Sequence, residues 1–275
     1  IAFTEESTAE LEEAYLTRFE LPFDTTARIG RFKPKIGKVL PVHRDSLDTV
    51  DEPLVIQRYF GGEGMSKSGA DLSKLLDIPS PMVHQVTLGV LEGGNGEGGT
   101  AFGETKRRPT FYGHLKNYLD INDVTNLELG ISDTIGSRDE DASFEVNVFG
   151  LDLTLIHHLN ANQALKLQGE AFNVDRSESF IEVTDDATGD VTQQDRDGNI
   201  WGGYGLADFR INSQWAAGFR FDYAEPVDNA LENPDKAEIG CTGYLTFYQS
   251  EFARWRVQLS QVELVTGEDE TRVFL

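Results

Sequence analysis

The sequence predicts an all-β fold, an antiparallel up-and-down transmembrane β-barrel of about 12 or 13 strands. Three observations carry this. Apolar residues recur with period two over runs of about ten residues. Tight, Asn-rich connections alternate with long acidic ones through much of the chain. Mean hydropathy stays at −0.37, as it must if every long strand keeps one polar face. At that strand density residues 1–275 form a single domain, with no room for a second.

Taken in chain order, the second strand carries Gly30-Arg31-Phe32, with Arg31, Lys33 and Lys35 on one face. Residues 46–60 leave the period-two pattern. There Leu47, Val50, Leu54 and Val55 are spaced at three and four behind Asp and Ser, which predicts a short helix in a long loop. Pro53 interrupts this helix or opens its second turn, and Gly61-Gly62 closes it. Next, Phe111, Gly113, Leu115, Leu119 and Ile121 alternate with Tyr112, His114, Lys116, Tyr118 and Asp120. Leu127, Leu129 and Ile131 alternate with Glu128, Gly130 and Ser132, and Leu165, Leu167 and Ala171 with Lys166, Gln168 and Glu170. The clearest run sets Trp215, Ala217, Phe219, Phe221 and Tyr223 against Ala216, Gly218, Arg220, Asp222 and Ala224. Ile239, Cys241, Gly243, Leu245 and Phe247 form another apolar face, and Trp255, Val257 and Leu259 alternate with Arg254, Arg256 and Gln258.

Asn122-Asp123, Asn160-Ala161-Asn162 and Asn212-Ser213-Gln214 read as tight turns. Residues 92–107, 177–199 and 225–237 read as long acidic loops. Two strands break phase. Phe144, Val146 and Val148 hand over to Leu151, Leu153 and Leu155, which predicts a bulge near Phe149-Gly150. A similar slip follows Leu259, where Val262 and Leu264 take over.

Periodicity does not say which face points inward. A soluble sandwich or barrel puts the apolar face inside, whereas a membrane barrel inverts the arrangement. Aromatics toward strand ends (Trp201, Trp215, Tyr223, Trp255) and polar faces carrying both signs of charge favour inversion. The other reading is a large acidic soluble β-sandwich.

The formal charge of −23 excludes a general nucleic-acid binder. The lone Cys241 excludes an intramolecular disulfide and a cysteine-cluster metal site. His43, His84, His114, His157 and His158 have no metal-binding spacing, and His157-His158 point to opposite sides of a strand. No nucleophile triad and no phosphate-cradling glycine loop is present, so no enzyme activity, cofactor or bound metal is expected. The acidic runs at 138–141, 182–197 and 267–270 lack EF-hand spacing and read as solvated loop charge.

Candidate function lies in the lumen. Arg31, Lys33, Lys35, Arg58, Lys116, Lys166, Arg220, Asp222, Arg254 and Arg256 are the candidate pore-lining residues. A basic wall in a water-filled constriction favours anions. Alternatively, these side chains pair with Glu128, Glu170 and Asp222 across strands and fill the lumen. Residues 46–60 could fold inward as a constriction loop with Gln57 and Arg58 facing the pore, or lie over the rim or against a neighbouring subunit.

Several words in order carry a family resemblance: Glu13-Ala14-Tyr15-Leu16-Thr17, Gly30-Arg31-Phe32, the run from Glu52 through Arg58-Tyr59-Phe60 to Gly64, His114-Leu115-Lys116-Asn117, Leu127-Glu128-Leu129-Gly130, Leu151-Asp152-Leu153-Thr154 and Ser250-Glu251-Phe252-Ala253-Arg254. Together they resemble a little-studied family of Gram-negative outer-membrane β-barrels, porin-like and distantly similar to phosphate-selective porins. Members are sometimes labelled zinc-regulated receptors, a label not expected to apply because no amino-terminal plug domain is expected. The chain opens at Ile1 and stops within an apolar alternation at Val273-Phe274-Leu275, so both termini are expected to be truncated. The resemblance implies about 14 to 16 strands in a complete barrel. It also implies a Gram-negative outer-membrane location, with membrane lipid and lipopolysaccharide as surroundings. The expected function is a porin-like channel for passive diffusion of small hydrophilic solutes, with an anion preference. The alternative is a closed or sheath-like barrel, acting as a homo-oligomer or with a partner protein in a surface or electron-transfer assembly.

Overall fold

Thirteen strands, hydrogen-bonded in chain order, make one antiparallel sheet in a computed structural model of the chain. It describes residues 2–3, 9–62, 64–94, 100–103, 108–137, 145–176, 180–184, 191–195, 199–227 and 237–275. The strands of the sheet are β3 (Ala14–Leu21), β4 (Thr25–Phe32), β5 (Lys67–Leu76), β6 (Val83–Leu91), β7 (Thr110–Asn122), β8 (Thr125–Ser137), β9 (Glu145–Asn160), β10 (Gln163–Arg176), β13 (Asn199–Arg210), β14 (Trp215–Ala224), β15 (Glu238–Tyr248), β16 (Arg254–Glu263) and β17 (Asp269–Phe274). Two short pairs stand apart: β1 (Ala2–Phe3) with β2 (Ala9–Glu10), and β11 (Phe180–Thr184) with β12 (Val191–Asp195). No described helix is long and apolar enough to cross a membrane.

One end of the sheet is a rim of tight turns of two to six residues, the other a rim of mostly long connections. Asparagine builds several of the turns. Asn122 Oδ1 accepts from the Val124 amide, Asn160 Oδ1 from Asn162, and Asn212 Oδ1 from Gln214 and Trp215. Each short side chain thus imitates a backbone turn carbonyl.

The two faces are chemically opposite. Phe219, Phe221, Trp201, Ile131, Leu151, Leu153, Leu88 and Leu245 stand exposed on the outside. Thr87, Ser132, Asp152, Thr154, Gln168, Glu170, Arg220, Asp222, Thr242 and Gln258 are buried inside. The greasy outer wall has aromatic pairs near both rims: Trp201 stacks on Tyr223 at 4.6 Å toward the loops, and Trp215 meets Phe247 at 4.8 Å toward the turns. The ten residues of β14, at a rise of about 3.3 Å and a tilt near 40°, span about 25 Å of height.

The two phase breaks are not bulges. β9 keeps an unbroken register with β8 and with β10 through Phe149 and Gly150, and β16 does so with β15 and β17 through Val262. The register shifts that do occur lie beside tight turns, at Arg18/Leu21, Asp120/Asn122 and Gln163/Ala164. Instead the inner face itself becomes apolar: Val146 and Val148 point into the lumen while Leu151 and Leu153 point out, and Leu259 points out while Val262 points in. Phe144 lies outside the described residues.

The partner of this inner apolar surface is the β4–β5 connection, residues 33–66, which folds into the barrel as a strap. It contains a 3-10 turn (Arg44–Ser46) and one helix, α1 (Leu54–Phe60). Pro53 occupies the N-cap and Gly61, at φ 103°, ends the helix. Phe32, Ile36, Val39, Leu40, Val55, Ile56, Tyr59 and Phe60 from strand end and strap join Val146, Val148, Phe172, Val174 and Ile200 from the wall in one buried cluster. Leu54 packs with Ala224 and Val262 in a second.

Candidate functional site

The candidate site is the lumen, and its upper half is filled. Wall side chains grip the strap largely by its main chain. Ser132 Oγ accepts the Gly37 amide at 2.9 Å, and the Glu170 carboxylate accepts the Lys38 and Val39 amides, each at 2.8 Å. Tyr204 Oη donates to the same carboxylate at 2.8 Å. Gly37 has a left-handed φ of 62° and lies so close to Glu170 that a Cβ there would overlap the carboxylate.

The second anchor is Arg220 on β14, 1% exposed. Its guanidinium donates to Asp222 Oδ2 at 2.7 Å, Thr49 Oγ1 at 2.6 Å, the Asp51 carbonyl at 2.9 Å and Asp51 Oδ1 at 3.2 Å. Asp222 Oδ1 accepts the Leu54 amide at the start of α1. Gln258 on β16 accepts the Val50 amide and donates to Asp51 Oδ1, both at 2.6 Å. Arginine reads a strap carbonyl, and aspartate and glutamine read strap amides.

Below the strap the burial alternation fades. On β9 both faces are exposed from His158 to Asn160, and on β7 from Asp120 to Asn122. The lumen therefore becomes a polar vestibule toward the turn rim and is filled by the strap toward the loops. There Lys38 of the strap and Lys116 of the wall clamp Glu128, at 2.5 and 2.7 Å. Lys166 pairs with Asp48 at 2.7 Å. Arg256 donates to Thr246 Oγ1 and lies over the Tyr244 ring. Lys35 Nζ donates to Ser73 Oγ at 3.0 Å. Burial lowers the Lys35 ammonium from its ordinary pKa, while Asp71 opposes the shift.

Of the ten residues singled out by sequence, Lys35, Lys116, Lys166, Arg220, Asp222 and Arg256 face the interior. Lys116 and Arg220 reach the carboxylates expected of a self-pairing lumen, whereas Glu170 binds strap amides instead of a cation. Arg58 on α1 bonds Glu238 at 2.7 Å, and Gln57 donates to the Glu52 carbonyl. Lys33 is buried at the start of the strap, where its amide donates to Glu13. Arg254 is exposed at the rim of a cleft of about 970 Å³ that also takes in Arg44, Trp255 and Leu275. Arg31 is a correction to the shared basic face. It stands in phase with exposed Ile29 on the outside of β4, 3.8 Å from Glu92, because Lys33 and Lys35 lie past the strand's end, where the period no longer applies. Sequence reasoning missed Ser132 and Gln258, whose only signal was a polar position on an inward phase. The acidic run at 138–141 and half of that at 182–197 lie outside the described residues. Among the described residues no three His, Cys, Asp or Glu side chains converge as metal ligands would.

No family model matches the chain. An uncharacterised protein of Aquifex aeolicus (strain VF5) is 25% identical across 99% of this chain. The chain spans 61% of that relative's length. Among solved structures, the NanC porin in a rhombohedral crystal form is similar at 10% identity, with a TM-score of 0.33, over 71% of this chain and 81% of that one.

Proposed function

We propose that the protein is a β-barrel of the Gram-negative outer membrane, porin-like in architecture, whose lumen is closed at rest by its own strap. An apolar outer wall about 25 Å tall, bounded by aromatic pairs, suits a bilayer better than water. The packing of the strap inside the lumen is the observation that supports a sealed barrel over a diffusion pore. Leu54, Val55, Ile56, Tyr59 and Phe60 are all buried. At about 2 kcal/mol each, exposing them costs about 10 kcal/mol, or roughly seven decades in population. Thermal motion does not open such a lumen at any useful rate. The basic vestibule side chains then hold strap and wall together, with selecting anions a secondary role for them.

Planar-bilayer recording tests this. Purified protein is expected to insert without conductance steps, while replacement of residues 34–65 by a short Gly-Ser linker yields steps. Stable steps from the unaltered protein, with an anion preference that weakens on neutralising Lys116 or Lys166, would restore the passive diffusion channel.

A further inference from the structure

We propose that the cleft between the strap and the start of β16 binds the phosphate headgroup of an anionic lipid at the turn rim. The idea rests on the outer wall being lipid-facing, and adds a specific site to that wall.

The cleft measures about 970 Å³ and is lined by Arg44, Ser46 and Thr49 of the strap and by Arg254, Trp255 and Arg256 of β16. Two of its three guanidinium groups are held by neutral partners. Arg44 Nε donates to the Val50 carbonyl at 2.9 Å. Arg256 Nε donates to Thr246 Oγ1, also at 2.9 Å, and the group lies 5.7 Å from the centre of the Tyr244 ring. Such partners orient a guanidinium without cancelling its charge. Arg28, Arg58 and Arg220 each bond a carboxylate; among the described residues none of the three cleft arginines does. Arg254 and Arg256 also share the inward phase of β16, opposite Tyr248 and Thr246, so they repel each other until an anion stands between them. Two carboxylates line the same cleft: Glu12, 3.6 Å from His43, and Asp45, which accepts from Ser46 at 3.4 Å. Three arginines against two carboxylates leave the cleft positive in a chain whose formal charge is −23.

The surroundings of the cleft favour a lipid as the source of the anion. Arg254 directly follows the tight connection between β15 and β16, which puts it at headgroup height in the proposed membrane setting. Trp255 turns outward beside it, 67% exposed, and Val257 and Leu259 carry the same outer face upward, each more than half exposed. A molecule with its phosphate among the arginines therefore finds an apolar track for its acyl chain on the same strand. A free inorganic anion would use the polar end alone. Guanidinium forks match phosphate oxygens two at a time, and basic pockets at a membrane surface select anionic headgroups.

The test extracts the full chain in mild detergent from vesicles made of equal parts phosphatidylcholine and phosphatidylglycerol, and identifies the co-purifying lipid by mass spectrometry. Phosphatidylglycerol is expected to be enriched on the order of tenfold. Arg254→Gln, which breaks no described bond, is expected to cut the enrichment about fivefold, and adding Arg44→Gln to bring the two lipids level. Arg18→Gln, at an exposed position of β3, leaves the enrichment unchanged. Circular dichroism confirms that each variant is folded; Arg254→Gln alone carries the test if the double variant is not. Equal retention of the two lipids by the parent, enrichment that survives the loss of Arg254, or an equal loss with Arg18→Gln overturns the headgroup site. Inorganic phosphate that binds in calorimetry and displaces the phosphatidylglycerol makes the ligand a free anion, which overturns the lipid. Absence of any co-purifying lipid overturns the lipid-facing wall beneath the proposal, a separate failure.

Discussion

Arg220→Leu isolates the largest polar anchor of the strap. The substitution leaves a side chain of moderate volume on β14 but withdraws five N–H donors from a buried site. Asp222 and Asp51, both buried, lose their cation, and the Asp51 carbonyl and the Thr49 hydroxyl lose their donors. Breaking a buried ion pair from one side costs about 3–5 kcal/mol, because the remaining charge is stranded. The expected loss is about 4 kcal/mol, read from urea unfolding followed by tryptophan fluorescence in a folded bilayer system. Arg220→Leu with Asp222→Leu should cost less than the single change, since the second substitution removes the more buried of the two stranded carboxylates and leaves Asp51 with its Gln258 donor. A loss below about 1 kcal/mol for Arg220→Leu, or a double variant no more stable than the single, would refute the role of this pair as a buried anchor.

Gly37→Ala forces a Cβ into the Glu170 carboxylate at a left-handed φ; amide exchange at Lys38 and Val39 should then rise at least tenfold, and unchanged protection would contradict the seating. Asp152 is buried, and its Oδ2 has no hydrogen-bond partner. Asp152→Asn should therefore change unfolding stability by no more than about 1 kcal/mol, whereas Asp222→Asn, which disturbs two bonds, costs more. Leu153→Arg puts a charge halfway along the outer face of β9; if that face meets lipid, membrane folding weakens by about 2–4 kcal/mol, and an unaffected yield of folded barrel argues for water outside.

The fold was legible because period two is dictated by the backbone, and the runs from Trp215 and Ile239 keep it without fault. The helix was legible only in part: its stop at Gly61 was readable, but α1 covers Leu54–Phe60 alone, because Pro53 caps its start and Leu47 and Val50 lie in irregular chain before it. The inner surface was not. Val146, Val148 and Val262 look like register slips when only one face of a strand is allowed to be apolar, yet the register is continuous and both faces are apolar there. A phase reversal without turn residues nearby was the available signal that something greasy occupies the lumen. Arg31 shows a related limit, since a shared face cannot be extended past the end of a strand. Which carboxylate meets which donor was unreadable, because Glu170 and Gly37 lie 133 positions apart and the strap's path sets their meeting.

The fading of the burial alternation along each strand gives the molecule a solid crown and a hollow base. Where side chains interdigitate at crystal-like density, a squeeze on the wall is transmitted across to the far side; where only solvent stands between the strands, the wall can flex. In the proposed membrane setting, lateral pressure would thus be resisted at one rim and yielded to at the other. Thermal unzipping, for the same reason, begins at the turns and runs toward the loops.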